Sequence, residues 1–127
     1  MLKNYLKNQN TNPKKLMSKS ITSEIKITVE LDENRVPEKL TWSAQDGGVE
    51  QKEAKAMMLS IWDSKVQETL RIDLWTKDMP VDEMKLFFHQ TLVAMSDTFQ
   101  RATQDEKMTD TMKDFCDYFA EKMELKG

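Results

Sequence analysis

Residues 49–75 read VEQKEAKAMMLSIWDSKVQETLRIDLW, and the way this stretch is divided decides the fold. Its second half is the clearer part. Leu70, Ile72 and Leu74 alternate with Thr69, Arg71 and Asp73, the period-two pattern of a strand with one buried face. The first half reads two ways. Glu50 to Ala56 are good helix formers, and Ala54, Met57, Met58 and Ile61 fall at helical spacing. Met57, Leu59 and Ile61 also alternate with Met58, Ser60 and Trp62. The strand that follows tips the choice: a polar loop of about Asp63 to Glu68 would join two strands as a hairpin. The stretch is therefore expected to hold a short helical turn near 50–54, a strand near 55–62 and a second strand ending at Trp75.

Working outward, Ile25, Ile27, Val29 and Leu31 alternate with Lys26, Thr28 and Glu30, a further half-buried strand in a pattern that begins at Ser23. Asp32-Glu33-Asn34 supplies a turn. Val36 to Ser43 follows as a strand with Leu40 and Trp42 on one face, and Pro37 suits its beginning or a sheet edge. On the other side, Pro80 stands where a helix begins, and Asp82 and Glu83 complement the positive end of its dipole. Met84, Phe87, Phe88, Thr91, Leu92, Met95 and Phe99 form a wide helical stripe. Thr103 and Glu106 offer a capping box for a second helix with the stripe Met108, Met112, Phe115, Cys116, Phe119 and Met123. The expected fold class is α+β: a four-stranded antiparallel sheet followed by two amphipathic helices packed on one face.

Residues 1–20 lack this periodicity and read as a flexible basic leader with Lys3, Lys7, Lys14, Lys15 and Lys19 and no acid; Met17 is a candidate natural start, and residues 21–127 are then a single domain. That remainder holds 14 Lys and Arg against 22 Asp and Glu. An acidic body is repelled by phosphate backbones, so nucleic acid is not an expected partner. The basic arm suits an anionic surface, though a solvated tail is the plainer reading. No run approaches the ~20 apolar residues of a membrane span, and no secretory signal follows the N-terminal lysines. A reducing, cytoplasmic location is expected.

Chemistry-bearing motifs are sparse. Cys116 stands alone, so no intrachain disulfide forms, and at stripe spacing it reads as a small core hydrophobe. His89 is the sole histidine, beside an apolar stripe and without a nucleophile motif. No metal-ligand spacing, dinucleotide fingerprint or phosphate loop is present. The expectation is a protein that is not an enzyme and uses no cofactor or metal. The sheet gives a better lead. Met58, Trp62 and Trp75 fall in the polar phase of their strands, opposite the Leu70/Ile72/Leu74 face, and form the candidate protein-contact surface.

From Thr69 onward, TLRIDLWTKDMPVDEMKLFFHQTLVAMSDTFQRAT continued by DEKMTDTMKDFCDYFAEK resembles the gliding motility-associated protein GldC family of Bacteroidota. VELDENRVPEKLTWSAQDGG and AMMLSIWDSK, upstream, fit the same family. The resemblance spans roughly residues 20–127 and departs at the leader. It implies a soluble cytoplasmic component of the bacterial gliding machinery, with gliding or secretion components as protein partners, and it carries over no catalytic residue. The order of strands then helices also resembles SecB-type export chaperones, which makes a homo-oligomer that binds client chains an alternative. A small ligand-binding or enzymatic domain, with a pocket between sheet and helices, is the other.

Overall fold

The computed structural model describes residues 20–125. The expectations for the leader, apart from Ser20, lie outside them. The chain divides into two compact units at Asp78/Met79.

The first unit contains five strands: β1 (Ile25–Leu31), β2 (Pro37–Ala44), β3 (Val49–Ala54), β4 (Ala56–Asp63) and β5 (Glu68–Trp75). They form two antiparallel sheets, of order β1-β2-β3 and β4-β5. The expected single four-stranded sheet is therefore corrected. The helical turn expected near 50–54 is strand β3, recruited by pairing with β2 against the helical preference of its residues. Its period-two pattern is broken by a bulge, where Gln51 takes a left-handed φ of 45° and donates its N–H to Ser43 Oγ at 2.9 Å. Lys55 alone separates β3 from β4, so one extended run, 49–63, pairs with β2 and then with β5.

Central strand β2 sets Leu40 opposite Val29 and Ala54, and Ala44 opposite Ile25 and Val49. Leu40, Ala44 and Val49 are buried, and Trp42 packs against the last two. The other face of β1–β2 is polar, pairing Lys26 with Ser43, Thr28 with Thr41 and Glu30 with Lys39. Between β2 and β3, Ala44 leads into a 3-10 turn, Gln45–Gly47, closed by Gly48 at a φ of 72° that glycine adopts without strain. Asp32 organises the β1–β2 turn: its carboxylate accepts the N–H groups of Asn34 and Val36 at 2.8 and 2.9 Å.

The segment after β5 ties the two sheets. Thr76 donates its N–H to Lys55 C=O at 2.8 Å, and Lys77 donates its own to Pro37 C=O at 3.2 Å. Lys77 Nζ also reaches Asp32 at 2.8 Å and Glu38 at 3.3 Å. The Lys77 ammonium, followed by the Val36 N–H, holds the Asp32 carboxyl below its ordinary 3.8. Asp32 and Glu38 in turn raise Lys77 above 10.5. A depressed carboxyl stabilises the fold above its unfolded pKa, and that contribution is lost as pH falls through the folded value. A raised ammonium stabilises below its unfolded pKa, and its contribution is lost as pH rises through the folded value. Lys77→Met is expected to remove the alkaline dependence and to weaken the acid one, which the Val36 and Asn34 N–H groups still sustain, in a thermal-denaturation series against pH. Unchanged limbs would show that this ion pair does not report on folding.

The second unit is a helical hairpin, α1 (Val81–Thr103) and α2 (Glu106–Lys122), joined by two residues. Gln104, at a φ of 57°, ends α1 by returning its N–H to Gln100 C=O. The expected Thr103/Glu106 capping box is replaced by Asp105, whose side chain accepts the N–H of Met108 at 3.0 Å. Thr103 Oγ1 instead donates back to Phe99 C=O and accepts the Asp105 N–H. Asp105→Ala is expected to cost about 1 kcal/mol, read as a lower urea midpoint at unchanged slope.

Small residues mark the seam of the hairpin: Ser96, Thr109 and Cys116 are its buried positions. His89 stacks on Phe119 with ring centroids 6.2 Å apart, and Lys113 meets Asp97 at 3.6 Å. Several large stripe residues lie outside this seam. Phe88, Met95, Met108 and Phe115 are exposed.

Candidate functional site

The β4–β5 hairpin carries the residues singled out in the sequence. Its turn is built locally: Asp63 accepts the N–H of Lys65 on its carboxylate and that of Gln67 on its carbonyl, and Gln67 adopts a φ of 56°. From there the two strands pair without a break over eight positions, Asp63↔Glu68 to Ala56↔Trp75.

Directly paired residues share a face, so the register sorts the hairpin into two surfaces. One is an aliphatic ladder of Met57 with Leu74, Leu59 with Ile72, and Ile61 with Leu70. The other carries all three candidate contact residues: Ala56 with Trp75, Met58 with Asp73, Ser60 with Arg71, and Trp62 with Thr69. Trp62 and Trp75 are 61% and 56% exposed, and Met58 is half-buried.

The surface is not one cluster. Met58 and Trp75 are diagonal neighbours, within reach of each other's side chains. Trp62 stands six residues along β4 from the position opposite Trp75, about 20 Å at strand rise. The centre is polar: Arg71 Nη2 donates to Asp73 Oδ1 at 2.7 Å, and Arg71 Nη1 donates to Ser60 Oγ. The part missed by sequence reasoning is this Arg71–Asp73–Ser60 bridge. Its signal is an Arg-x-Asp pair in the same strand phase as the tryptophans.

On the helical hairpin, an apolar groove of about 680 Å³ runs along α1 between Phe87, Thr91, Met95 and Phe99 and reaches Met112 of α2. In the first unit, a smaller recess of about 300 Å³ is lined by Leu40, Ala54, Lys55, Thr76 and Asp78. There the Thr76 hydroxyl donates to Asp78 at 2.6 Å and holds that carboxyl below its usual range. His89 is half-buried against Phe119. Burial foremost, then nearby Asp117 and Asp97, pushes the Cys116 thiol up, away from the reactive thiolate. No group of three or more His, Cys, Asp or Glu that could hold a metal ion occurs among the described residues, and none of their helices is long and apolar enough to cross a membrane.

A family model described as gliding motility-associated protein GldC-like matches residues 37–125, more than two-thirds of the 127-residue chain. The match runs from the first residue of β2 to the end of the described chain and leaves β1 outside it. Searches of curated proteins and of solved structures returned no match.

Proposed function

Because the chain belongs to the gliding motility-associated GldC-like family, we propose that it serves the gliding machinery as a non-enzymatic accessory protein, acting in the cytoplasm through protein contacts. The observation that carries this reading is the exposure of two tryptophans on one face of the β4–β5 hairpin, with Met58 beside Trp75. Water-exposed indole rings of this size are the side chains that most often anchor protein interfaces, because their burial on binding removes a large apolar area at little conformational cost. The Arg71–Asp73 pair between them supplies polar groups that a partner's backbone or charges can meet.

The test is affinity capture of the tagged full chain from gliding cells, comparing wild type with Trp62→Ala and Trp75→Ala. A gliding component that co-purifies with wild type and is lost from both folded variants supports the reading. Equal recovery with all three proteins removes the tryptophan face from the contact.

A client-binding oligomer of the SecB kind is favoured by a different observation, the groove bordered by Phe87, Met95 and Phe99. It predicts that the chain slows aggregation of an unfolded protein and that Met95→Glu abolishes the effect. An enzymatic or ligand-binding role through His89 is the weaker alternative, since its ring is engaged with Phe119. Loss of motility in a folded His89→Ala variant that still binds its partner would revive that role.

A further inference from the structure

We infer that two copies of this chain pair edge to edge through β5, antiparallel about a two-fold axis at Ile72, making a continuous four-stranded sheet from two hairpins. The first ground is the open edge. Among the described residues β5 has β4 as its only sheet partner, and it runs through eight paired positions with no proline, bulge or lysine. Those are among the devices by which edge strands ordinarily avoid pairing, and the charges that β5 does carry, Glu68, Arg71 and Asp73, include both signs. The outer sheet edges of β1 and β3, in contrast, each carry a register irregularity. Thr76 donates its N–H to Lys55, on the β4 side. By the alternation of an antiparallel ladder, Thr69, Arg71, Asp73 and Trp75 therefore turn their N–H and C=O groups to the open edge.

Charge selects the partner and the register. Arg71 and Asp73 are two residues apart on the same face. An axis at Arg71 would set Arg71 against itself, and an axis at Asp73 would set two carboxylates together. An axis between residues would place the aliphatic ladder of one copy beside the tryptophan face of the other. The axis at Ile72 sets Arg71 opposite Asp73 of the second copy, twice, with Leu70 opposite Leu74 and Ile72 opposite itself. Each copy already pairs Arg71 with its own Asp73 at 2.7 Å, so the two pairs close into a square of alternating charge. A second copy is the occupant that supplies this complementarity from the same sequence.

The arrangement also changes the tryptophan face. Thr69 lies opposite Trp62 within the hairpin and opposite Trp75 of the second copy across the axis. Trp62 of one chain and Trp75 of the other then flank a single threonine, two strand spacings or about 10 Å apart. Rings held at opposite ends of each hairpin are gathered into two patches.

Sedimentation equilibrium of the full chain tests the pairing. Wild type is expected to be a dimer at micromolar concentration. Arg71→Glu and Asp73→Lys each place like charges opposite one another twice, and each is expected to weaken association about tenfold or more. An equimolar mixture of the two variants restores both attractive pairs and is expected to dimerise again, a recovery that a folding defect would not give. Ile72→Cys, in a Cys116→Ala background, keeps the charges and brings the new thiols together at a non-hydrogen-bonded pair with Cα atoms about 4.5 Å apart. It is expected to oxidise to a covalent dimer, whereas Ser60→Cys is not. A monomeric wild type, single reversals that leave dimers intact, a mixture that does not recover, or an Ile72→Cys chain that does not cross-link would each overturn the pairing. Capture of a gliding partner tests the accessory reading separately, and a monomer that still binds it would leave that reading standing.

Discussion

Leu40→Ala is expected to destabilise the protein by about 2–5 kcal/mol, the range for emptying a well-packed leucine site. Leu40 is fully buried and lies on the central strand of its sheet, opposite Val29 on one side and Ala54 on the other. Removing its side-chain carbons costs their transfer from water and leaves a cavity that two hydrogen-bonded neighbours prevent from collapsing. A domain of this size has a total stability of about 5–15 kcal/mol, so the upper part of the range would leave little folded protein. Urea denaturation followed by circular dichroism measures the change. Trp62→Ala, removing a larger but 61% exposed side chain, serves as the contrast and is expected to cost far less. A loss below about 1 kcal/mol at Leu40 would mean that β2 does not centre the core.

Ser96→Leu is the second large effect, at about 1–3 kcal/mol of destabilisation through overpacking. Ser96 has no exposed surface, and its hydroxyl donates to Val93 C=O within the same helix at 2.7 Å. Thr109 and Cys116 are the buried positions of the facing helix. Three small side chains at the buried positions let the two helices approach closely, and a leucine among them forces the backbones apart or takes an unfavourable rotamer. Ser96→Ala keeps the volume low and gives up only a local bond within the helix, so it is expected to be nearly neutral. A leucine variant as stable as wild type would show that the seam has room to spare.

Much of this architecture was legible in the sequence. Strict alternation in 25–31 and 69–75 and the proline and acids at 80–83 placed β1, β5 and the start of α1 close to their observed limits. The β3 strand was not legible, because Glu50, Lys52, Glu53 and Ala54 favour helices and the Gln51 bulge interrupts the alternation. Its strand state comes from pairing with Leu40, Thr41 and Trp42, residues that lie outside its own stretch of sequence. The helix seam was only half legible. Apolar stripes point to the largest side chains, while the buried positions include Ser96 and Thr109, small polar residues that bond to their own helices. The shared phase of Met58, Trp62 and Trp75 could be read in advance. The distance between the two tryptophans could not, because it depends on where β4 and β5 come into register.

Among the described residues, each strand ladder and the helix pair join neighbours in the sequence: β1 with β2, β2 with β3, β4 with β5 and α1 with α2. Such local closure makes for rapid folding, and it also sets a timetable during synthesis. Each hairpin can form as soon as its second half clears the ribosome, without waiting for the C-terminus. All residues of the β4–β5 edge have therefore been made before the helices, and edge pairing as inferred above would let two nascent hairpins on one message steady each other before either chain is released.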